Sequence, residues 1–365
     1  MPESRLHQLS ALGQSVWIDY LSRDLLHSGE LARMMEEDAV TGVTSNPTIF
    51  QKAISQGNAY DDQMRDLLGH EDDAKEIFIS LAGRDIGEAC DLMRKVWDNG
   101  KGLRGYVSME VDPNYAFDTE ATIAEARRFH ALIDKPNLYV KIPGTEPGLP
   151  AIEEMIASGK SINVTLIFSI QRHREVMEAY IRGLERLVEG GGDPRGVASV
   201  ASYFVSRVDT EADKRLEGHP ELQGKLAVAN AKLAYQSWKE VFSGERWEAL
   251  EAKGAAKQWC LWASTSTKNP AYSDVLYVDD LIGADTVNTM PEETIVAFQD
   301  HGEVRLTLDE GIDEARQVFE DVEAAGVSVD DVTRVLEEEG VQKFSDSFAE
   351  LLDGIRSKRG ELVNA

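Results

Sequence analysis

Eight times along this chain a short, mostly apolar run is followed by a longer stretch with helical character, and that alternation constrains the fold more tightly than any single motif. The runs are Ser15–Leu21, Gly42–Asn46, Gly105–Val111, Asn137–Thr145, Ile162–Ser169, Val197–Phe204, Gln258–Ser264 and Thr286–Met290. Pro47 stops the second, Asp112 and Pro113 the third, and Pro143 with Gly144 the fourth. Helical patterns fill the intervals at Gly29–Asp38, Asn58–Leu68, Asp73–Trp97, Thr119–Ile133, Glu146–Ala157, Gln171–Glu189, from Asp209 onward and at Leu222–Phe242. In the longest early one, Ile77, Leu81, Ile86, Ala89, Met93 and Val96 recur at helical spacing. After Pro291 the pattern is helical throughout, with acidic helices near Asp313–Ala325 and Asp330–Ile355. Strands alternating with helices predict a parallel α/β sheet, and eight of them predict closure into a (β/α)8 TIM barrel with additional helices and a helical C-terminal extension. Such a barrel takes about 250 residues or more as one domain. The 365 residues therefore fit a single barrel domain over 1–365, with 291–365 as the mostly helical extension that closes it.

Polarity locates the working face. Nearly every run carries a lone polar residue among apolar ones: Asp19, Asn46, Glu110, Lys141, Asn163 with Thr165, Ser202 and Ser264. Asp, Asn, Glu and Lys are poor strand formers. Their recurrence in seven runs predicts a central wet pocket, because buried polar groups must find partners in one another or in a ligand. In a parallel barrel that pocket lies at the C-terminal ends of the strands. Lys141 stands among Leu138, Tyr139, Val140 and Ile142. Loss of hydration there disfavours the ammonium and favours the neutral amine, a nucleophile.

Charge and composition exclude several function classes. A formal net charge of −27, with no compensating basic stripe, argues against nucleic acid and against anionic membrane surfaces. No apolar run approaches the roughly 20 residues of a membrane span, and Met1–Ser10 lacks the apolar centre of a signal peptide. Cys90 and Cys260 lie far apart in apolar patterns, which predicts two buried thiols in a reducing cytoplasm. The seven histidines show no metal-binding spacing, so no metal or other cofactor is expected.

A lone lysine with two carboxylates and no metal points to covalent catalysis through a Schiff base, whose iminium takes up the electrons of a breaking carbon–carbon bond. One carboxylate would remove a hydroxyl proton, and the other would move protons as the carbinolamine forms and dehydrates. Asn, Ser and Thr side chains suit the hydroxyls of an open-chain sugar. Arg207, just beyond the sixth run, and Lys268, beyond the seventh, are placed to hold a phosphate.

The segments T-S-N-P-T-I-F, V-S-M-E-V-D-P, V-K-I-P-G-T, I-N-V-T-L-I-F-S and S-Y-F-V-S-R-V-D stand in the order and context of the transaldolase family. The chain resembles that family from Ser15 to Ile355, most closely its longer bacterial members with an acidic helical C-terminus. The resemblance implies that Lys141 forms the Schiff base, Asp19 serves the C4 hydroxyl, and Glu110 works through a catalytic water bound by Thr165. It further implies that Asn46, Asn163 and Ser202 bind hydroxyls and that Arg207 binds phosphate, with Ser264 and Lys268 beside it. The implied substrates are sugar phosphates, and the protein is expected to act as a monomer or homodimer. Two departures stand out. Lys268 occurs where many members have a second arginine, and Tyr203 stands where proline is frequent. The nearest rival is an aldolase of the same superfamily that releases dihydroxyacetone. Glu110 and Phe204 favour transfer, but an inward Tyr203 would favour release. A non-catalytic sugar-phosphate binding protein and a metal-dependent barrel hydrolase are the alternatives from other classes.

Overall fold

In the computed structural model, which describes residues 4–55 and 57–364, eight parallel strands form a closed barrel in sequential order. They are β1 (Gln14–Ile18), β2 (Val40–Val43), β3 (Tyr106–Glu110), β4 (Leu138–Pro143), β5 (Ile162–Ile167), β6 (Ser199–Phe204), β7 (Trp259–Ala263) and β8 (Thr286–Met290). Strand β8 runs unbroken along β1 from Gln14↔Thr286 to Ile18↔Met290, which removes both sheet edges. This is the (β/α)8 architecture predicted from the alternation. All but β8 are shorter than their apolar runs. Asp19, Asn46 and Ser264 lie just past the ends of β1, β2 and β7, on the rim where the backbone leaves the ladder.

Pro47 has a second use that its reading as a strand stop overlooks. It opens a helix, Pro47–Ser55, as its first residue, where a missing N–H costs nothing. Asn46 Oδ1 accepts the Ile49 N–H at 3.1 Å and caps that helix. The polar N-terminal segment also contributes a helix, Arg5–Ala11, capped by Ser4 and burying Leu6 and Leu9. Among the described residues, no helix is long and apolar enough to cross a membrane.

Below the rim the barrel is packed with aromatic rings. Tyr139 stacks on Tyr106 with centroids 3.8 Å apart and faces Trp17 at 6.0 Å. The Trp17 indole lies so close to Gly42 that a Cβ there would come within 2.4 Å of it, so only glycine fits at that point of β2. Above the rings, Lys141 pairs in register with Glu110 on β3 and with Asn163 on β5. Strand β5 is irregular between Val164 and Ile167, where Leu166 adopts a left-handed φ of 59°. Such a bulge re-aims neighbouring side chains, and Thr165 is next to it.

The C-terminal helix, Val329–Asn364, packs on Pro47–Ser55, on helix Ala74–Asn99, on helix Ser206–Arg215 and on β5. Gly340 approaches Leu166 closely enough that an added Cβ would sit 3.0 Å from its Cδ2. Polar ties fix the helix along its length. Arg215 bonds Asp331 at 2.6 Å, Ser347 is 3.0 Å from Thr48, and Lys358 donates to the Gly57 carbonyl at 2.7 Å.

Candidate active site

Strand alternation turns Val140 and Ile142 away from the face that Lys141 occupies. The lysine head therefore meets polar groups where the sequence suggested apolar ones. Its Nζ donates to the Ser45 carbonyl at 3.0 Å and to Glu110 Oε2 at 3.3 Å, with the side chains of both Lys141 and Glu110 buried. The Phe344 ring lies 6.0 Å from Nζ.

Two carboxylates flank the lysine. Burial pushes Glu110 above the usual carboxylate range, opposed chiefly by the Lys141 charge. Burial also raises Asp19, against a hydrogen bond from Thr44 Oγ1 at 2.6 Å and the charges of Lys141 and Lys268. Thr44 is itself bonded to Thr289 at 2.7 Å, so Asp19 is oriented by groups from β2 and β8. The oxygens Glu110 Oε1 and Thr165 Oγ1 are buried and make no regular hydrogen bond, although Thr165 is near enough to oppose the rise in the Glu110 pKa. Asn163 accepts from Ser202 Oγ at 2.7 Å and donates to Ser108 Oγ at 3.2 Å.

These residues surround a cavity of about 350 Å³ at the C-terminal end of the barrel. Asp19, Asn46, Lys141, Thr165, Ser202, Arg207, Ser264 and Lys268 line it directly. Glu110 and Asn163 are not among its lining residues: Glu110 is hydrogen-bonded to Lys141, and Asn163 to Ser202. Arg207 has no carboxylate within ion-pair distance among the described residues, although most arginines here are paired. Its guanidinium lies over the Phe204 and Phe344 rings at 5.2 and 5.9 Å, and burial lowers its pKa. A half-buried cation with donors free and facing a cavity is suited to a doubly charged oxyanion. Ser264, at a left-handed φ of 55°, bonds Ser206 at 3.0 Å at the start of the Arg207 helix.

The match to known proteins covers the same ground. The family described as Transaldolase/Fructose-6-phosphate aldolase matches residues 16–355, which takes in every strand from β2 to β8 and most of β1. The chain belongs to this family. Transaldolase of Frankia alni is 50% identical over 361 residues, covering 97% of each chain. Transaldolase of Saccharopolyspora erythraea is 51% identical over 359 residues, covering 97% of this chain and 98% of its own. Transaldolase 2 of Streptomyces coelicolor is 50% identical over 364 residues, covering 98% of each.

Within the transaldolase/fructose-6-phosphate aldolase frame, the register of β6 settles which aromatic ring faces the cavity. Ser202 and Phe204 line it, while Tyr203 is buried against His173 and Trp262 on the other side of the strand. Period-two alternation from Ser202 would have found this. The sequence reading missed Thr44 and Thr289, which orient Asp19, and Lys52, which lines the cavity from the helix that Asn46 caps. It also missed Phe344. A ring on an acidic surface helix carries no local signal of a role in a barrel mouth.

Proposed function

We propose that the cavity carries out transaldolase chemistry, with Lys141 as the covalent nucleophile. The protein moves a dihydroxyacetone unit from sedoheptulose 7-phosphate to glyceraldehyde 3-phosphate, giving erythrose 4-phosphate and fructose 6-phosphate. One observation carries the reading: a single buried lysine head stands between Glu110 and Asp19 in a cavity that also holds an unpaired arginine.

The steps follow from those positions. The Lys141 amine adds to the C2 carbonyl of the donor, and loss of water from the carbinolamine leaves an iminium. Glu110, raised in pKa and hydrogen-bonded to Nζ, passes protons for this step through a water shared with Thr165. The two oxygens, Glu110 Oε1 and Thr165 Oγ1, supply the partners such a water needs. Asp19 then takes the C4 hydroxyl proton, the C3–C4 bond breaks, and its electrons flow into the iminium to give an enamine. The aldehyde leaves, glyceraldehyde 3-phosphate takes its place, and the enamine carbon attacks its carbonyl while Asp19 returns the proton. Hydrolysis frees the product. Asn46, Asn163 and Ser202 bind the sugar hydroxyls. Arg207, with Ser264 and Lys268, holds the phosphate.

Phe204 on the cavity wall favours transfer over release, since a phenyl ring offers no hydroxyl to hold a water against the enamine. The reading takes the chain as one domain acting in the cytoplasm, which suits the free, buried Cys90 and Cys260. Borohydride reduction in the presence of fructose 6-phosphate tests it. A reduced three-carbon adduct on Lys141, discharged when erythrose 4-phosphate is added before reduction, is the expected result. Folded protein that binds the sugar phosphate yet yields no adduct on Lys141 would remove the covalent mechanism.

A further inference from the structure

Among the described residues, Phe344 is the one aromatic ring brought to the cavity by the C-terminal helix, and its position is specific. Its centroid lies 6.0 Å from Lys141 Nζ, 5.9 Å from the Arg207 guanidinium carbon and 6.5 Å from the centroid of Phe204, to which it is tilted edge-on. The residue is 9% exposed, so the ring is turned inward from a helix whose opposite face is solvated. Neighbouring contacts hold it there. One turn before it, Gly340 sits against Leu166 at the β5 bulge beside Thr165. One turn after it, Phe348 packs edge-on against Phe78. None of the contacts that hold the ring involves a catalytic proton or a sugar hydroxyl.

An apolar ring over a reactive nitrogen excludes water from it. The inference rests on the transaldolase reading, in which the enamine must survive until the acceptor aldehyde arrives. Water competes with that acceptor. Protonation of the enamine carbon regenerates the iminium; water then adds to its carbon, the C–N bond breaks, and free Lys141 amine, dihydroxyacetone and a proton are left. The net change is enamine plus water giving amine plus dihydroxyacetone. We propose that Phe344 is a specificity-determining residue that roofs the Lys141 adduct and sets the ratio of transfer to release.

The test compares Phe344→Ala, Phe344→Leu and Phe344→Tyr with the parent protein in two assays. One follows transfer to an aldehyde phosphate acceptor. The other follows dihydroxyacetone release from fructose 6-phosphate with no acceptor present. The alanine variant should raise the release-to-transfer ratio about tenfold, the scale of one lost apolar contact that excludes water. Leucine keeps an apolar roof and should stay near the parent ratio, whereas tyrosine keeps the shape, adds a hydroxyl and should raise it. If alanine unfolds the chain, the leucine–tyrosine comparison decides. Borohydride trapping is run on each protein. An adduct on Lys141 with an unchanged ratio, or with both rates falling in parallel, would overturn the role of Phe344 alone. No adduct in any of them would overturn the Schiff-base reading and this inference together.

Discussion

Asp209 accepts the Tyr277 hydroxyl at 2.8 Å in a buried setting, and this bond ties the helix that carries Arg207 to the segment that carries Lys268. A second pair does the same one turn along, where Tyr272 donates to Asp213 at 2.7 Å. Gly224 lets the Tyr272 ring approach to 2.7 Å of where a Cβ would stand. Replacing Tyr277 with phenylalanine leaves a buried carboxylate short of a donor and should cost about 1–3 kcal/mol of stability. Because the two cations are then less firmly related, KM for fructose 6-phosphate should rise more than kcat falls. Denaturant titration and steady-state kinetics check both. An equal loss in kcat and kcat/KM would deny the link to phosphate.

Asp209 also predicts a pH dependence of stability. Burial raises its pKa to about 6 in the fold, against about 3.9 in an unfolded chain. Between those values the folded protein holds a proton that the unfolded chain has released, so stability from this group is greatest below pH ~4 and falls by about 3 kcal/mol in all as pH rises through ~6. Asp209→Asn keeps one acceptor oxygen for the Ala227 N–H and turns its NH2 toward the Tyr277 hydroxyl oxygen, and it does not ionise. Its stability relative to the parent should therefore rise across that interval. A difference that stays constant from pH 4 to 7 would show that Asp209 ionises normally.

Two raised carboxylates flanking Lys141 shape the rate profile. Asp19 must be ionised to take the C4 hydroxyl proton, and burial raises its pKa. The acid limb of kcat/KM should thus lie above the ordinary carboxylate range of about 4. Glu110→Gln keeps the hydrogen bond acceptor facing Lys141 but cannot shuttle protons, and should lower kcat by roughly 10²–10⁴-fold. Slower accumulation of the borohydride-trapped adduct would locate the loss before carbon–carbon cleavage. Adduct formed at the parent rate would place Glu110 outside that step.

Arg207→Ala should raise KM for phosphorylated donors by about 10–100-fold, the range of one charge-assisted hydrogen bond. Arg207→Lys should recover part of it, as a point charge replaces a fork. An unphosphorylated donor such as fructose serves as the control. Equal losses on fructose and on fructose 6-phosphate would assign Arg207 a purely structural part.

The fold was legible because parallel barrel strands are short apolar runs, and the lone polar residues in them are costly enough to need a reason. Glu110, Lys141 and Asn163 fall in register across three strands for that reason. Other features were hidden by dependence on distant chain. Asn46 could be read as polar but not as a helix cap, since Pro47 signals both a stop and a first turn. Thr44 and Thr289 gain meaning only when closure of β1 between β2 and β8 brings them to Asp19. Phe344 has the spacing of any inward residue on an amphipathic helix, and what it covers is decided by the path of that helix over β5.

Ribosomal synthesis gives the pairing of β1 with β8 an order in time. The first strand waits for its second partner some 270 residues later, and contacts of that range form late because long loops must close first. Phe344 emerges later still. A nascent chain can hold Lys141 and Glu110 on neighbouring strands, and Asp19 on Thr44, well before either event, yet the lysine is not covered. The pair that forms the Schiff base is thus close in sequence, whereas the ring that covers the adduct comes from one of the last elements to join the fold.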